Sequence, residues 1–203
     1  MEINRVGQII FHRLQLHRVR FSQFVDNVVI ACHVCSSSIP LEGIVRSIRG
    51  GLFTTPYSNL LYDQESFEEI RAHGERLGFK IITLDGQEAL LAHVDFKTPE
   101  RVGKYGLDLS ALETVGVEAL REAVHARQLV VIDEIGPMEL RSPIFRDVVN
   151  QALDSGAPIL ATISARSLPF TGAIKERPDV TVIEVRPGNR EQLAYELSDQ
   201  FKK

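Results

Sequence analysis

The sequence of 203 residues contains only two cysteines, Cys32 and Cys35. Two thiols cannot form the disulfide framework of a small extracellular domain, so the cytoplasm is the default expectation. They stand in a lone CxxC, and without a second pair a four-thiolate zinc site is excluded. A redox pair would need a helix starting just after the first thiol, whereas the following Ser-Ser-Ser-Ile-Pro favours a loop. We interpret the two thiols as incidental.

The chain also lacks a strong charge of either sign and a long apolar run. Its formal net charge is -4 and its pI is near 5.9, which gives no general reason to expect binding to nucleic acid or membranes. No apolar run approaches the roughly 20 residues that a membrane-spanning helix needs. Residues 1–20 lack the apolar core and cleavage site of a secretory signal. They are basic and moderately amphipathic, so organelle targeting is the alternative to the cytoplasm.

The first 79 residues of the chain contain no lysine, and the first one is Lys80. Residues 1–64 carry arginine and histidine instead, and their apolar residues show no clear periodicity. Only a short strand at 28–34 and a short helix at 41–51 are predicted there. A chain of this length can form one domain with its own core. We therefore predict an atypical N-terminal segment over 1–64 and a regular α/β domain over 65–203.

From residue 65 onward, strand and helix patterns alternate. Apolar runs predict buried strands at 129–133, 158–164 and 180–185, and residues 78–96 predict a hairpin that turns at Asp85-Gly86. Cap residues predict three helix starts, at Ser110 with Glu113, at Ser142 before Pro143, and at Asn189 with Gln192. This alternation is typical of a doubly wound, mostly parallel sheet.

Asp133 and Glu134 follow the most apolar of these strands. Ligands of doubly wound sheets bind beyond the carboxyl ends of the strands, where these two carboxylates are expected to lie. An aspartate there can hold Mg²⁺, and an adjacent glutamate can orient and deprotonate a water. Because Mg²⁺ completes its coordination with water and phosphate oxygens, the pattern indicates a phosphate ester or anhydride as substrate. The alternative is that the two acids merely end the strand as solvated or ion-paired residues.

Two further stretches could complete such a site. Thr162 and Ser164 lie at the end of the next predicted strand and Arg166 follows on its loop, so a hydroxyl and a guanidinium could contact the terminal phosphate. The glycine-flanked Lys104 and Tyr105 could clamp phosphate and stack on a base. In each case the alternative is an ordinary strand residue, a solvated loop charge or a turn.

Taken together and in order, several stretches resemble a known family. They are FEEIRAHGERLGFKIITLDG, RVGKYGLDLSALETVGVEAL, VVIDEIGPMEL, ILATISARSLPF and IKERPDV. The resemblance, over about residues 67–197, is to the thermophile-type nucleoside-triphosphatase family with human cancer-related relatives. That family has the P-loop NTPase fold, related to RecA-like ATPases. The resemblance implies Mg²⁺-dependent hydrolysis of ATP, GTP and other nucleoside triphosphates to the diphosphate and phosphate, with loose base selectivity.

The resemblance also implies roles for individual residues. Asp133 matches the family's Walker B aspartate, which holds the metal, and Glu134 matches its catalytic glutamate. Thr162 and Arg166 match positions near the γ-phosphate, with Arg166 as a charge stabiliser. Pro137 stands where the family often has lysine. The nucleotide is expected to contact Lys104, Tyr105, Val131, Ile132, Asp133, Glu134, Ile135, Gly136, Pro137, Met138 and Thr162.

The family's glycine-rich phosphate loop, which ends Gly-Lys-Ser/Thr near the N-terminus, has no counterpart in this chain. Such a loop cradles the phosphates with successive backbone N–H groups, reaches the β- and γ-phosphate oxygens with its lysine, and ligates Mg²⁺ with its hydroxyl. The only Gly-Lys here is Gly103-Lys104, and tyrosine follows it. A chain that has the Walker B acids alone is expected to bind nucleotide poorly.

Three accounts of residues 1–64 follow from this absence. In the first, a frame error or a wrong exon has replaced the translated N-terminus. In the second, the chain is a degenerate relative that acts as a binding or regulatory module without hydrolysis. In the third, the N-terminal segment supplies another phosphate site, for instance through Arg46, Arg49 and the Gly50-Gly51 pair. We predict a nucleoside-triphosphate hydrolase, with the non-hydrolysing module as the alternative.

Overall fold

The architecture combines two five-stranded sheets with several short helices. The computed structural model of the protein describes residues 7–12, 29–31, 69–72, 75–83, 86–127, 130–166, 168–185, 189 and 192. In chain order the strands are β1 (Gly7–His12), β2 (Val29–Ala31), β3 (Glu69–Ala72), β4 (Glu75–Ile82), β5 (Glu88–His93), β6 (Arg101–Val102), β7 (Tyr105–Leu107), β8 (Val130–Ile135), β9 (Ile159–Ile163) and β10 (Val180–Val185). The α-helices are α1 (Leu109–Ala111), α2 (Glu118–His125), α3 (Pro143–Asp154) and α4 (Pro169–Lys175). A π-helical segment (Leu112–Val117) joins α1 to α2, and a 3₁₀ helix (Glu139–Arg141) precedes α3.

The first sheet has the strand order β10-β1-β9-β8-β2. Strand β8 runs parallel to β2 and β9, whereas β1 runs antiparallel to both β9 and β10. Four of the five described strands therefore point the same way, which confirms the predicted mostly parallel α/β sheet. The strands predicted at 129–133, 158–164 and 180–185 correspond to β8, β9 and β10, and the one predicted at 28–34 overlaps β2. The burial expected of 180–185 is wrong, because β10 lies at the edge of the described sheet and only Val185 in it is buried.

Strand β1 lies between β9 and β10 but runs in the reverse direction. Gly7 pairs with Val185 and Gln8 pairs with Ile163, so β1 begins beside the carboxyl ends of its neighbours and finishes at the opposite edge. A phosphate loop follows the carboxyl end of its strand and leads into a helix. A loop that followed β1 would therefore leave the sheet at the edge away from Asp133.

The second sheet is antiparallel, with the strand order β3-β4-β5-β7-β6. Strands β4 and β5 form the hairpin predicted at 78–96, and Gly86 in its turn has a φ of 88°, which favours glycine. Strands β6 and β7 form a second hairpin, in which Val102 pairs with Tyr105 across Gly103 and Lys104. The stretch interpreted above as a phosphate clamp or a turn is thus a two-residue hairpin connection.

The helical stretch from α1 to α2 packs into a core that both sheets share. Leu112, Val117 and Leu120 on this stretch are fully buried. They belong to one apolar cluster with Ile81 of the second sheet and Ile132 of the first. Because burial of apolar surface is the main stabilising contribution, the two sheets and the helices fold around a common core.

The helix start predicted at Ser110 with Glu113 is wrong. Helix α1 begins after Asp108, whose side chain accepts a hydrogen bond from the backbone N–H of Ala111. The N–H of Asp108 still donates to a carbonyl oxygen in β5, so the helix starts directly where the sheet pairing ends. Glu113 has a different partner, since its Oε1 accepts a hydrogen bond from the hydroxyl of Ser142 at 2.6 Å.

The predicted helix start at Ser142 is confirmed, and it yields a stability prediction. The buried Ser142 hydroxyl accepts a hydrogen bond from the backbone N–H of Phe145 at 3.1 Å and donates one to Glu113. Ser142→Ala removes both bonds, so we expect the free energy of unfolding to fall by about 1–2 kcal/mol in urea denaturation. Ser110→Ala, at the exposed position that is no cap, is the control and should change it by less than about 0.5 kcal/mol. Equal losses in the two variants would contradict the assignment of the cap.

Some sequence predictions fall outside the described residues. These are the Cys32 and Cys35 pair, the helix at 41–51 and the body of the final helix. Asn189, the predicted cap of that helix, donates its side-chain amide to the carbonyl oxygen of Glu184 at 3.0 Å. Within the described part of the chain, the helices are too short and too polar to cross a membrane.

Candidate active site

Asp133 and Glu134 lie in a β-bulge of strand β8. In the parallel pairing with β9, Ile132 is opposite Ala161 and Ile135 is opposite Ile163. Two residues of β8, the two acids, therefore face a single residue of β9, Thr162. A bulge of this kind re-aims side chains and is over-represented next to active sites. The bulge brings together three of the predicted site residues at the carboxyl ends of β8 and β9.

The three residues of the bulge differ in their exposure. Asp133 is buried, with 9% of its surface exposed, whereas Glu134 and Thr162 are half-buried. A buried carboxylate beside a half-exposed one gives two different environments within two residues. This arrangement suits a division of roles, in which the inner acid holds a cation and the outer acid contacts water.

Gly136 leaves the space that the Glu134 side chain occupies. A Cβ built on Gly136 would lie 2.4 Å from Oε1 of Glu134 and 2.8 Å from its Cγ. Contacts this short do not occur between real atoms, so the glutamate side chain folds back over the glycine. Glycine at this position is therefore required for the present placement of the Glu134 carboxylate.

Beyond Gly136 the chain turns into the 3₁₀ helix. The backbone N–H of Gly136 donates to Oε2 of Glu139 at 3.1 Å, and its carbonyl oxygen accepts from the N–H of Leu140 at 3.0 Å. Glu139 is fully buried. The side-chain carboxylate of Glu139 thus holds the turn after β8. The glutamate of a capping box reaches back to a backbone N–H in the same way.

Arg166 lies on the loop that leaves β9 at the same edge. Ser164 ties this loop to β8, because its N–H donates to the carbonyl oxygen of Ile135 at 3.1 Å. The carbonyl oxygen of Arg166 accepts from the hydroxyl of Thr171 at 3.2 Å, which holds the backbone. The side chain of Arg166 is exposed. The structure thus places the arginine on a fixed loop beside the bulge, with its guanidinium directed into solvent.

Sequence reasoning missed Lys175, which also contacts this edge. Its Nζ donates to the carbonyl oxygen of Ser164 at 2.7 Å, and burial lowers the pKa of its ammonium group. The sequence gives no sign of this contact, because Lys175 lies eleven residues after Ser164 and at the far end of α4. Glu139 was missed as well. Its local signal is the sequence Gly-Pro-Met-Glu at 136–139, in which a glutamate can reach back to the N–H three residues before it, as in a capping box.

Lys104 and Tyr105 lie on the second sheet, apart from the bulge. Lys104 is exposed at the hairpin connection, with its Nζ 5.5 Å from the centre of the Tyr105 ring. The Tyr105 ring also packs edge-to-face on Phe79 at 4.9 Å. The hairpin approaches the turn after β8 through Arg141, which donates to the carbonyl oxygen of Arg101 at 3.4 Å.

The remaining predicted nucleotide contacts are mostly core residues. The side chains of four of them are at least 96% buried, namely Val131, Ile132, Ile135 and Met138. Contacts from these residues to a nucleotide would come from their backbone. Pro137 is half-buried and Gly136 presents backbone alone.

The oxygen atoms at the bulge are ligands that suit a hard divalent cation. Carboxylate and hydroxyl oxygens are the ligands that Mg²⁺ prefers, and Asp133, Glu134 and Thr162 supply them. In the described part of the chain, no group of three or more His, Cys, Asp or Glu side chains is placed to hold a metal ion. An ion at Asp133 would thus depend on water and phosphate oxygens for the rest of its coordination. That is the usual situation for Mg²⁺ in phosphate-transferring enzymes.

A known family model matches more than half of the chain. The model of the family described as NTPase matches residues 65–198. The chain belongs to the NTPase family. The matched range contains every candidate site residue, whereas strands β1 and β2 lie outside it.

Relatives in the NTPase family are similar over about two thirds of this chain. The nucleoside-triphosphatase THEP1 of Thermotoga sp. (strain RQ2) is 46% identical over 147 residues, which are 71% of this chain and 84% of that protein. The nucleoside-triphosphatase THEP1 of Thermofilum pendens is 47% identical over 136 residues, which are 66% of this chain and 75% of that protein.

Two solved structures share the fold of this NTPase family member. The crystal structure of THEP1 from the hyperthermophile Aquifex aeolicus superposes with a TM-score of 0.60 at 33% identity, over 68% of this chain and 81% of that one. The solution structure of a human cancer-related nucleoside triphosphatase gives a TM-score of 0.57 at 29% identity, over 86% of this chain and 95% of that one. The predicted P-loop NTPase lineage of the fold is confirmed.

Proposed function

We propose that this chain hydrolyses nucleoside triphosphates, ATP and GTP among them, to the diphosphate and phosphate with the help of Mg²⁺. The observation that carries the proposal is the bulge that sets Asp133 and Glu134 opposite Thr162 at the carboxyl edge of the sheet. Membership of the NTPase family supports it, because relatives at 46% and 47% identity bear the name nucleoside-triphosphatase.

In the proposed reaction, Glu134 accepts a proton from a water whose oxygen forms a bond to the γ-phosphorus. The bond from this phosphorus to the bridging oxygen breaks, and its electron pair leaves with the nucleoside diphosphate. Asp133 would hold Mg²⁺, which would neutralise negative charge on the phosphate oxygens. Thr162 orients the water or the terminal phosphate, and Arg166 stabilises the charge that develops on the transferred group.

We also propose that selection among bases is loose. Among the candidate residues only Tyr105 offers an aromatic ring for stacking, and that ring already contacts Phe79 and Lys104. A base would have to compete with these contacts, so it adds little to the binding free energy. Binding then depends on the triphosphate, which all nucleoside triphosphates share.

The proposed setting is the cytoplasm, with nucleoside triphosphates as partners and without nucleic acid or a membrane. The net charge of -4 and the absence of a long apolar run support this proposal.

One observation favours a second function, a binding or regulatory module without turnover. The Gly-Lys-Ser/Thr loop is missing from the sequence, and β1 leaves the sheet at the edge opposite to Asp133. Without such a loop, the triphosphate lacks its usual cradle of backbone N–H groups, and the metal lacks the hydroxyl ligand that the loop itself supplies. The acids of the bulge would then be a relic of the family.

Calorimetric titration of Mg-ATP into the purified 203-residue chain, beside an assay of phosphate release, separates the two functions. The hydrolase should bind Mg-ATP with a Kd in the micromolar range, about -8 kcal/mol, and release phosphate until a chelator removes the metal. Absence of both heat and phosphate at millimolar Mg-ATP would favour the module.

Asp133→Asn tests the assignment of the metal ligand in the same assay. Loss of an outer partner of a metal ligand already costs about 10–100-fold in metal affinity, so loss of the ligand's charge should raise the Mg²⁺ requirement at least about tenfold. Asp147→Asn, at an exposed position on α3, is the matched control and should leave the requirement unchanged. An unchanged requirement in both variants would refute the role of Asp133.

A further inference from the structure

Glu139 is a buried carboxylate to which the proposed reaction gives no role. None of its surface is exposed. Burying a carboxylate is costly unless hydrogen bonds compensate, so its position needs an explanation. The N–H of Gly136 donates to its Oε2 at 3.1 Å, which couples the carboxylate to the turn that follows β8.

The same glycine lies against the Glu134 side chain. A Cβ at Gly136 would be 2.4 Å from Oε1 and 2.6 Å from Cδ of Glu134, so the backbone of Gly136 forms the surface on which this carboxylate rests. A shift of Gly136 would therefore move that surface. The contact chain runs from Glu139 through the N–H of Gly136 to the carboxylate of Glu134.

We propose that Glu139 is a positioning residue that fixes the Glu134 carboxylate by holding the backbone of Gly136. The inference rests on the proposed function, in which Glu134 takes the proton of the attacking water. The simpler role for Glu139 is to cap the turn that leads from Gly136 into the 3₁₀ helix, which would add stability alone. The two roles differ in what happens to turnover when the hydrogen bond is lost and the fold is kept.

Two substitutions of Glu139 test the hydrogen bond from Gly136 in the full chain. Glu139→Met keeps most of the side-chain volume but loses the oxygen acceptor, whereas Glu139→Gln keeps an oxygen that can accept from Gly136. We expect Glu139→Met to lower kcat about 10- to 100-fold at unchanged KM, because a misplacement of about 1 Å can cost that much. We expect Glu139→Gln to restore most of the rate.

Ser142→Ala is the control for a loss of stability alone. Ser142 is as buried as Glu139 and caps the next helix, but its side-chain hydrogen bonds join it to Phe145 and Glu113. It should lower the melting temperature and leave kcat unchanged. A Glu139→Met variant that melts earlier but keeps the parent's kcat would overturn the positioning role in favour of the cap.

A measurement without turnover separates failure of this inference from failure of the proposed function. By NMR of the parent chain, the Gly136 amide should exchange with solvent at least about tenfold more slowly than an exposed amide, as expected for a hydrogen-bonded group. The carboxyl carbon resonance of Glu134, assigned by its loss in Glu134→Gln, should move in Glu139→Met and keep its parent position in Glu139→Gln. A fast-exchanging Gly136 amide, or a Glu134 resonance unmoved in Glu139→Met, would overturn the inference even in a chain that releases no phosphate.

Discussion

Glu134→Gln is expected to lower the rate of phosphate release by about 10²–10⁴-fold, the usual contribution of a positioned general base. The amide has nearly the shape of the carboxylate, so it can take the same place over Gly136, but it cannot accept the proton of the attacking water. Binding of Mg-ATP should therefore persist at close to the parent's affinity. The measurement is phosphate release at saturating Mg-ATP, together with calorimetric binding to the same samples.

The matched control for Glu134→Gln is Glu118→Gln. Glu118 is exposed on α2 and pairs with Arg121 one turn along the helix. An exposed pair of this kind contributes little, so Glu118→Gln should leave turnover unchanged and stability within about 0.5 kcal/mol. Equal turnover by Glu134→Gln and the parent would remove Glu134 from the mechanism and leave only the family relationship.

Elements that depend on local chemistry could be predicted from the sequence. Apolar runs mark β8 and β9, because a strand covered on both faces has no polar side to display. Strand β10, whose run contains Thr181 and Glu184, is only partly covered. The turn at Gly86 and the helix start at Ser142 follow from residues that favour one backbone conformation or one hydrogen bond. The acids at the end of β8 were predicted by the same local reasoning.

The sequence could not predict what depends on pairing between distant segments. Asp108 and Ser110 both suit a helix start, and the hydrogen bond of the Asp108 N–H to β5 decides in favour of Asp108. The reverse direction of β1 has no local signature, since the periodicity of a strand is the same in both directions. The direction matters for function, because it determines the edge at which the following chain leaves the sheet.

The geometry of the candidate site also depends on pairing between distant segments. The apolar run of β8 predicts that two acids lie at its end, but only the register against β9 shows that both face Thr162. Lys175 reaches the site region through a contact with Ser164, eleven residues before it, whereas Glu139 bonds locally to Gly136, three residues before it. The sequence therefore indicates which residue types lie at this edge of the sheet, whereas the placement of their side chains depends on the assembled sheet.

Gly136→Ala should change the placement of the Glu134 carboxylate while leaving the stability of the fold nearly unchanged. The three atoms nearest to a Cβ built there are Oε1, Cδ and Cγ of Glu134, all in one side chain. The fold can therefore accommodate the methyl group when the glutamate swings away, and we expect the free energy of unfolding to change by less than about 1 kcal/mol. The displaced carboxylate can no longer reach the water, so kcat should fall about 100-fold. Urea denaturation and phosphate release on the same preparation measure the two effects.

Gly172→Ala is the matched control for this prediction. Gly172 lies within α4, and a Cβ built there meets nothing within 4 Å. Alanine should raise the free energy of unfolding by about 0.5–1 kcal/mol, since it lowers the entropy of the unfolded chain and favours the helix. Turnover should stay at the parent level. If Gly136→Ala also kept the parent's kcat, the Glu134 carboxylate would not need its place over the glycine, and activation of the water would have to be assigned to another group.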